Sequence, residues 1–333
     1  MNRREFVASA PALFQLPAER TTLGLTPDSF AVRRPQRTAL EFLELARARG
    51  FGGVQAGLPA DAGPDYLKNV RDFCERNSMY WELLVPLPED DPAPFERAVR
   101  AAKEAGALCI RSVCLTGRRY ETFRTMEEWK EFVRRSHRRL ALAVPLAEKH
   151  RLPLGIENHK DFTAREMPEI FRKYSSEYFG ACIDFGNNLA LLDGPMELIE
   201  ALAPWVINTH VKDMAVQEYA DGFLLSEVPL GKGIVDLRRA IAILRARRPS
   251  VRFTMDTLVR DPLKIPCLTE PYWVTFEQPD ARRLARILRL VRAHPPREPL
   301  PRVTGLSREE ALALEDRILD ECRRYAALEL GLA

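Results

Sequence analysis

The feature that most limits how this chain can fold is a regular alternation of short apolar runs and longer amphipathic segments. The apolar runs, such as residues 80–85 and 108–115, are typical of buried strands. The amphipathic segments, such as residues 64–77 and 280–292, carry apolar side chains at helical spacing. Because strands that alternate with helices form parallel sheets, the sequence predicts an α/β protein.

The alternation repeats eight times, which favours a closed (β/α)8 barrel, the TIM-barrel fold. Such a barrel typically takes about 250 residues, and this chain has 333. The predicted strands are residues 21–25, 51–56, 80–85, 108–115, 154–157, 179–184, 203–213 and 251–256. A doubly wound open sheet is the alternative, and it is weakened because no glycine-rich phosphate turn follows an early strand.

We expect three parts along the chain. Residues 1–18 form a leader, residues 19–294 form the barrel, and residues 295–333 form a proline-rich linker followed by a C-terminal extra helix. Ser307 and Glu310 give that helix a capping-box start. The helix is expected to pack on the outside of the barrel or on a partner subunit, so a homo-oligomer is one expected assembly.

The leader resembles a bacterial twin-arginine export signal. Arg3 and Arg4 precede Phe6, and a short apolar run follows as far as Leu16. Periplasmic export is therefore expected. The alternative is a cytoplasmic protein with a frayed basic terminus, because Pro11 interrupts the apolar run. No apolar run reaches the roughly 18 residues that a membrane span requires.

Four consecutive predicted strands end in a side chain that can bind a metal ion. These residues are Glu157, Asp184, His210 and Asp256. Singly, each has a plainer interpretation as a helix N-cap or a structural histidine. In a barrel, however, the carboxyl ends of the strands meet at one rim. Three carboxylates and an imidazole suit one octahedral divalent ion, Mn²⁺ or Mg²⁺ first, with Co²⁺ or Zn²⁺ as alternatives.

Four motifs occur in order between residues 150 and 265: Gly-Ile-Glu157-Asn-His159, Asp184-Phe-Gly-Asn187, His210-Val-Lys212-Asp and Gly231-Lys-Gly. Together they resemble the xylose isomerase-like sugar phosphate isomerase/epimerase family. The first half of the chain matches that family only in architecture. The resemblance implies a (β/α)8 barrel with one divalent ion, held by the acidic and histidine positions named above.

Two positions depart from the family's pattern. The family usually has Glu where this chain has Asp256, which is one methylene shorter, and it often has His near Asn187. In members that isomerise or epimerise, that Glu and the one at Glu157 move the proton on opposite faces of the substrate. Both departures weigh against strict sugar epimerase activity.

The resemblance and the residues together predict a divalent-metal-dependent isomerase or epimerase of a carbohydrate or keto-sugar. Glu157 and Asp256 are the candidate catalytic bases, and they would act through a metal-stabilised enediolate. Loss of a β-leaving group would instead give a carbon–oxygen lyase, either a dehydratase or a deglycosidase. A non-catalytic sugar-binding barrel, with Asp256 as its degenerate position, and a structural subunit that depends on the C-terminal helix are further alternatives.

Four further residues are candidates for substrate contact: His159, Asn187, Lys212 and Arg260. Lys212 could alternatively pair with Asp213. The Gly231–Gly233 turn could hold a phosphate through its N–H groups, or could simply be a tight turn. Residues 257–278 are long for a loop and are expected to cover the site.

Nucleic acid is not an expected partner. The chain has 50 basic and 47 acidic residues, a net charge of +3, so its charge balance gives no basic footprint. The basic run at residues 134–139 is typical of a solvated helix face. Zinc-dependent endonucleases of the same fold need many histidine ligands, and this chain has five histidines. Its six cysteines lack a C-x-x-C pair, which indicates reduced thiols.

Overall fold

The computed structural model describes residues 20–35 and 38–333. In these residues the strands are β1 (Gly24–Leu25), β2 (Gly53–Ala56), β3 (Tyr80–Leu84), β4 (Ile110–Ser112), β5 (Leu154–Glu157), β6 (Phe179–Asp184), β7 (Val206–Val211), β8 (Asp213–Tyr219), β9 (Gly222–Val228), β10 (Thr254–Met255) and β11 (Leu263–Ile265). The predicted leader, residues 1–18, lies outside the described residues.

The same residues contain the helices α1 (Ala39–Ala48), α2 (Pro64–Asn77), α3 (Ala93–Glu104), α4 (Arg119–Thr122), α5 (Met126–His150), α6 (Glu166–Tyr174), α7 (Pro195–Leu202), α8 (Leu237–Arg247), α9 (Glu270–Trp273), α10 (Ala281–Ala293) and α11 (Arg308–Glu329). Among these described helices, none is long and apolar enough to cross a membrane.

The predicted (β/α)8 barrel is confirmed. Eight parallel strands close in the order β1-β10-β7-β6-β5-β4-β3-β2. Every residue of β5, β6 and β7 is buried, as expected for strands covered by helices on the outside and by packed side chains within. The register brings Asp184 opposite His210, and His210 opposite Thr254, so the ends of these strands lie side by side.

Local chemistry sets the helix boundaries. Helix α5 begins after Thr125, whose hydroxyl accepts the Glu128 N–H in a capping box, and it ends at Arg151 in the left-handed region with φ 49°. Helix α8 begins after Asp236, whose carboxylate accepts the Arg239 N–H. The helix predicted from residue 36 is described only from Ala39 onward.

The first and last barrel strands are shorter than predicted. The first was expected over residues 21–25 and the last over 251–256, but each contains two residues. Thr21 and Thr22 instead hydrogen bond to the carbonyl of Leu332, near the C-terminus. A long-range contact therefore takes the place of strand pairing just before β1.

A three-stranded antiparallel sheet, which the sequence did not predict, follows the barrel strand β7. Strand β8 pairs with β9 along its whole length, and β11 pairs with the other side of β9. Residues 257–278, predicted to be a long loop, therefore contain β11 and α9. The chain turns at Ala220 and Asp221, and Gly222 then pairs with Tyr219; the sequence signal for this hairpin is the Asp221-Gly222 pair, which is typical of tight turns.

The predicted C-terminal helix is present as α11 and packs on the barrel. Its buried residues are Ala311, Glu315, Ile318, Leu319, Cys322, Arg323 and Ala326. Glu315 accepts hydrogen bonds from the N–H groups of Val32 and Arg33, which follow β1. At its other end, Glu329 pairs with Arg238 of α8. Helix α11 therefore covers the side of the barrel between α8 and the segment after β1.

Candidate metal centre

The four predicted metal-binding residues converge at one point of the barrel rim. Glu157 and Asp184 are the last residues of β5 and β6, His210 lies one residue before the end of β7, and Asp256 follows β10. Each offers one ligand atom, these atoms all lie within 4.8 Å of one another, and all four residues are buried.

The imidazole of His210 faces the three carboxylates. Its Nδ1 lies 3.2 Å from Glu157 Oε2, 3.6 Å from Asp256 Oδ2 and 3.8 Å from Asp184 Oδ2. Nδ1 is buried and has no hydrogen-bond partner with acceptable geometry in the described part of the chain. A buried polar atom of this kind is normally satisfied. An imidazole nitrogen among carboxylate oxygens fits a divalent ion at this position.

Gln55 fixes the tautomer of His210. The Gln55 Oε1 lies 2.7 Å from His210 Nε2, and the Gln55 amide in turn donates to Glu82 Oε2 at 2.7 Å. Asn208 donates to the same Glu82 oxygen at 3.0 Å. Because an amide oxygen only accepts hydrogen bonds, Nε2 of His210 carries a proton, and Nδ1 is the nitrogen that would bind a metal ion.

Lys212 bridges two of the carboxylates. Its Nζ lies 2.7 Å from Asp256 Oδ2 and 2.8 Å from Asp184 Oδ2. Burial disfavours the ammonium, but Asp184 and Asp256 raise the pKa of Lys212 above its usual value, so it is charged. The alternative partner, Asp213, does not pair with it.

Asp213 instead holds the Gly231–Gly233 turn. Its Oδ2 accepts the N–H groups of Gly231 and Gly233 at 3.0 Å and 2.9 Å, and its Oδ1 accepts that of Val235 at 3.0 Å. These donors are therefore occupied within the fold. The suggestion that this turn holds a phosphate is wrong, and the interpretation as a tight turn is the better one.

Glu157 and Asp256 are both held as carboxylates. Arg111 Nε donates to Glu157 Oε2 at 2.7 Å, and Asn187 donates to Oε1 at 2.9 Å. Burial opposes ionisation, but the Arg111 guanidinium keeps the pKa of Glu157 well below its usual range. Thr26 donates to Asp256 Oδ1 at 2.6 Å, and Lys212 likewise lowers the pKa of Asp256 against the effect of burial.

The backbone after β6 presents one oxygen of Asp184 to the centre. The N–H groups of Gly186 and Asn187 donate to Oδ1 at 2.9 Å and 2.8 Å, which leaves Oδ2 facing His210 and Lys212. A side chain at Gly186 would lie 2.4 Å from Met214 Cγ, so the turn requires glycine for this close approach.

The four predicted substrate-contact residues divide into two pairs. Asn187 and Lys212 hydrogen bond to members of the carboxylate cluster. His159 and Arg260 bond elsewhere in the described structure. His159 Nδ1 lies 2.9 Å from the Leu115 carbonyl, and burial lowers the pKa of His159 to about 3, which makes it neutral at pH 7. Arg260 pairs with Glu227 of β9 at 2.6 Å.

Several polar side chains of this rim were not predicted from the sequence: Gln55, Glu82, Arg111, Lys160 and Glu227. The first three lie in β2, β3 and β4. A polar residue within a short buried strand was the available signal, since such groups are rarely buried without partners. Glu227 was missed together with its hairpin. Lys160 had no distinctive sequence signal.

A family model described as xylose isomerase-like TIM barrel matches residues 43–289. The chain is 35% identical over 99 residues to 3-oxo-isoapionate decarboxylase from Pectobacterium atrosepticum, a match that covers 29% of this chain and 36% of that relative. The chain thus spans about a third of the length of that curated relative.

Two solved structures illustrate the shared fold. D-psicose 3-epimerase from Clostridium cellulolyticum H10, with D-tagatose, has a TM-score of 0.54 and 12% identity over 82% of this chain and 99% of that chain. A xylose isomerase-like TIM barrel protein from Mycobacterium smegmatis, in complex with magnesium, has a TM-score of 0.52 and 13% identity over 82% and 97%. At such identities the likeness concerns the fold alone. With a family model matched over most of its length, the chain belongs to the xylose isomerase-like TIM barrel family.

Proposed function

We propose that this chain is a divalent-metal-dependent enzyme that acts on a small keto-carbohydrate at the carbon beside its carbonyl group. The observation that supports this proposal is the convergence of Glu157, Asp184, His210 and Asp256, with ligand atoms within 4.8 Å of one another. This oxygen-rich set would hold Mn²⁺ or Mg²⁺, with Co²⁺ or Zn²⁺ as alternatives. When bound, the ion supplies Lewis acidity, which stabilises negative charge developing on a substrate oxygen.

The chain's own residues prepare the centre for that chemistry. Gln55 keeps the Nδ1 lone pair of His210 directed at the carboxylates. Arg111 and Lys212 keep Glu157 and Asp256 ionised, so these two carboxylates need lose no proton to bind an ion. In the isomerase or epimerase reaction, Glu157 would take a proton from the substrate carbon, and Asp256 would return one.

Of the two reaction types, we rank a lyase first. Return of the proton to a second carbon or face would need a second carboxylate that reaches the substrate carbon. The second carboxylate here is Asp256, whose side chain is one methylene shorter than Glu and is held by Thr26 and Lys212. A lyase needs no such group. In a decarboxylation, the carbon–carbon bond between the substrate and its carboxylate breaks. The carboxylate leaves as carbon dioxide, and the electron pair that stays on the substrate carbon takes up a proton.

The curated relative agrees with this ranking, because its name is that of a decarboxylase of a 3-oxo acid. Isomerisation or epimerisation is the second candidate, and loss of a hydroxyl or glycosyl group is a variant of the lyase reaction. In all of these reactions, negative charge develops on the carbon beside a carbonyl group.

NMR spectroscopy in D2O would test the proposal. Protein loaded with Mn²⁺ and then exchanged into Mg²⁺ is incubated with a 3-oxo sugar acid and, separately, with ketoses. A lyase should release carbon dioxide or a leaving group, with one solvent deuterium in a decarboxylation product. An epimerase should give the epimer with deuterium at the inverted carbon. The Asp184→Asn variant should be at least about 100-fold less active than wild type in either reaction. Metal-loaded protein that exchanges no substrate proton and forms no product would favour the sugar-binding barrel.

A further inference from the structure

Four cationic side chains line the rim beside the metal centre, and three of them have carboxylate partners. Arg111 pairs with Glu157, Lys212 with Asp184 and Asp256, and Arg260 with Glu227. The fourth is Lys160. Within the described part of the chain, its Nζ donates to the Asn187 Oδ1, which belongs to a neutral amide.

Lys160 is held in an unfavourable electrostatic environment. Only 4% of the residue is exposed. Burial, followed by the nearby charges of Lys212 and Arg260, lowers the pKa of Lys160 to about 8. The carboxylates that oppose this effect, Asp184 and Glu227, are already paired with other cations. A buried charge without a counter-charge is costly, and such groups are concentrated at ligand sites.

The residue after Lys160 does not supply the missing partner. The Oδ1 of Asp161 accepts a hydrogen bond from the N–H group of Phe162 at 2.7 Å. Burial raises the pKa of Asp161 to about 7. The backbone at Lys160 also has φ 61°, in the left-handed region that side-chain-bearing residues seldom adopt. A strained backbone that carries a buried, unpaired cation is typical of functional positions.

Asn187 links Lys160 to the metal centre. Its Oδ1 accepts from Lys160 Nζ, and its Nδ2 donates to Glu157 Oε1 at 2.9 Å. The ammonium is therefore one amide group away from a proposed metal ligand. A molecule that bound at both positions would have to span this one amide group.

The charge balance of the rim indicates what such a molecule should carry. The four cations are matched in number by the carboxylates nearest to them, Glu157, Asp184, Glu227 and Asp256. The remaining carboxyl group of this rim, Glu82, bonds to the neutral amides of Gln55 and Asn208, and burial raises its pKa. A divalent ion at the centre would add two positive charges that nothing in this group compensates. A carboxylate on the substrate would cancel one of them, and negative charge developing on a substrate oxygen would cancel the other. A neutral sugar would leave the excess in place.

We propose that Lys160 is the anchor for an acidic group of the substrate, so that this site takes carbohydrate acids in preference to neutral sugars. The inference rests on the proposed function, because the acidic group is assigned to the same molecule whose carbonyl lies at the metal centre. It adds a binding residue, Lys160, and extends the acidic substrate of the first-ranked reaction to every reaction considered for this site.

Calorimetric titration of the Mn²⁺-loaded protein tests this inference without turnover. The probes are gluconate and its neutral counterpart glucitol, which differ in the carboxylate. Wild-type protein should bind gluconate at least about tenfold more tightly than glucitol. Lys160→Met should lose most of this preference, while its affinity for Mn²⁺ stays within about threefold of wild type.

Two control variants keep the test decisive. Lys160→Arg retains the positive charge and should retain a preference for gluconate. Lys264→Met, at an exposed position of β11, should bind both probes as wild type does. Equal affinity for the two probes in wild type, or an undiminished preference in Lys160→Met, would overturn the inference and leave the metal centre standing. If wild-type protein fails to bind Mn²⁺ in the preliminary titration, the proposed function fails and the inference fails with it.

Discussion

At the residue scale, the metal affinity of His210 should depend on Gln55. The Gln55 Oε1 accepts a hydrogen bond from the Nε2–H group of His210 at 2.7 Å, so Nδ1 is the nitrogen that would bind the ion. Gln55→Met, which is similar in volume, should weaken Mn²⁺ binding by about 10- to 100-fold, as measured by calorimetric titration. Gln217→Ala, at an exposed position of β8, is the matched control. Unchanged affinity in Gln55→Met would contradict the assigned tautomer.

A second residue-scale prediction concerns Asp161 and pH. Burial raises the pKa of Asp161 from 3.8 to about 7, and its Oδ2 has no hydrogen-bond partner among the described residues. Between these values the folded state keeps a proton that the unfolded chain releases. The contribution of Asp161 to stability is therefore present at low pH and is lost as the pH rises through about 7.

Asp161→Asn should remove this loss, because the amide keeps an oxygen acceptor for the Phe162 N–H and cannot ionise. The free energy of unfolding of the variant, relative to wild type, should increase from pH 5 to pH 8. Urea denaturation at the two pH values, with the metal content held equal, provides the measurement. If the free energies of unfolding of the variant and of wild type differed by the same amount at both pH values, the Asp161 carboxyl group would not titrate as described.

At the scale of elements, α11 should stabilise the segment after β1. Glu315 accepts the N–H groups of Val32 and Arg33, and the first of these bonds is 2.7 Å long. Glu315→Ala would leave these donors unpaired and should lower the free energy of unfolding by about 1–3 kcal/mol. Glu309→Ala, at an exposed position in the first turn of the same helix, should cost much less. If urea denaturation showed the same decrease in the free energy of unfolding for both variants, a specific role for Glu315 would be refuted.

Arg119 joins residues 257–278 to the loop after β5. Its guanidinium donates to the Thr275 carbonyl at 2.6 Å and to the Asp161 carbonyl at 3.2 Å, and it lies 3.7 Å from the centre of the Trp129 ring. Arg119→Met should therefore speed amide hydrogen exchange selectively in residues 266–278. Arg118→Met, next to it on the surface side, is the control. Exchange that is equally fast in both variants would indicate that Arg119 is not the anchor.

At the scale of the whole molecule, the barrel and the strand ends could be predicted from local patterns. Strand and helix periodicities are visible in single segments, and parallel closure then brings all strand carboxyl ends to one rim. This geometry is why Glu157, Asp184, His210 and Asp256 could be grouped without coordinates. The convergence of these four residues is a property of the fold, whereas their roles depend on the chemistry of their side chains.

The partners of these residues could not be predicted, because they come from distant parts of the chain. Gln55 contacts His210 across 155 positions, and Arg111 contacts Glu157 across 46. Such contacts depend on which side chains point into the barrel and on the register between strands. The hairpin β8–β9 is different, since its turn signal was present. It was overlooked because the motif that ends at Asp213 was interpreted as the end of a strand.

Metal content is the measurement that tests the central claim most directly. Wild-type protein, His210→Ala and His294→Ala would be reconstituted with Mn²⁺, freed of unbound metal, and subjected to elemental analysis. His294 follows α10, away from the cluster, and serves as the control. We predict about one ion per chain in wild type and in His294→Ala, and a large loss in His210→Ala. Folded wild-type protein that retains no ion, or His210→Ala that retains as much as wild type, would contradict the account.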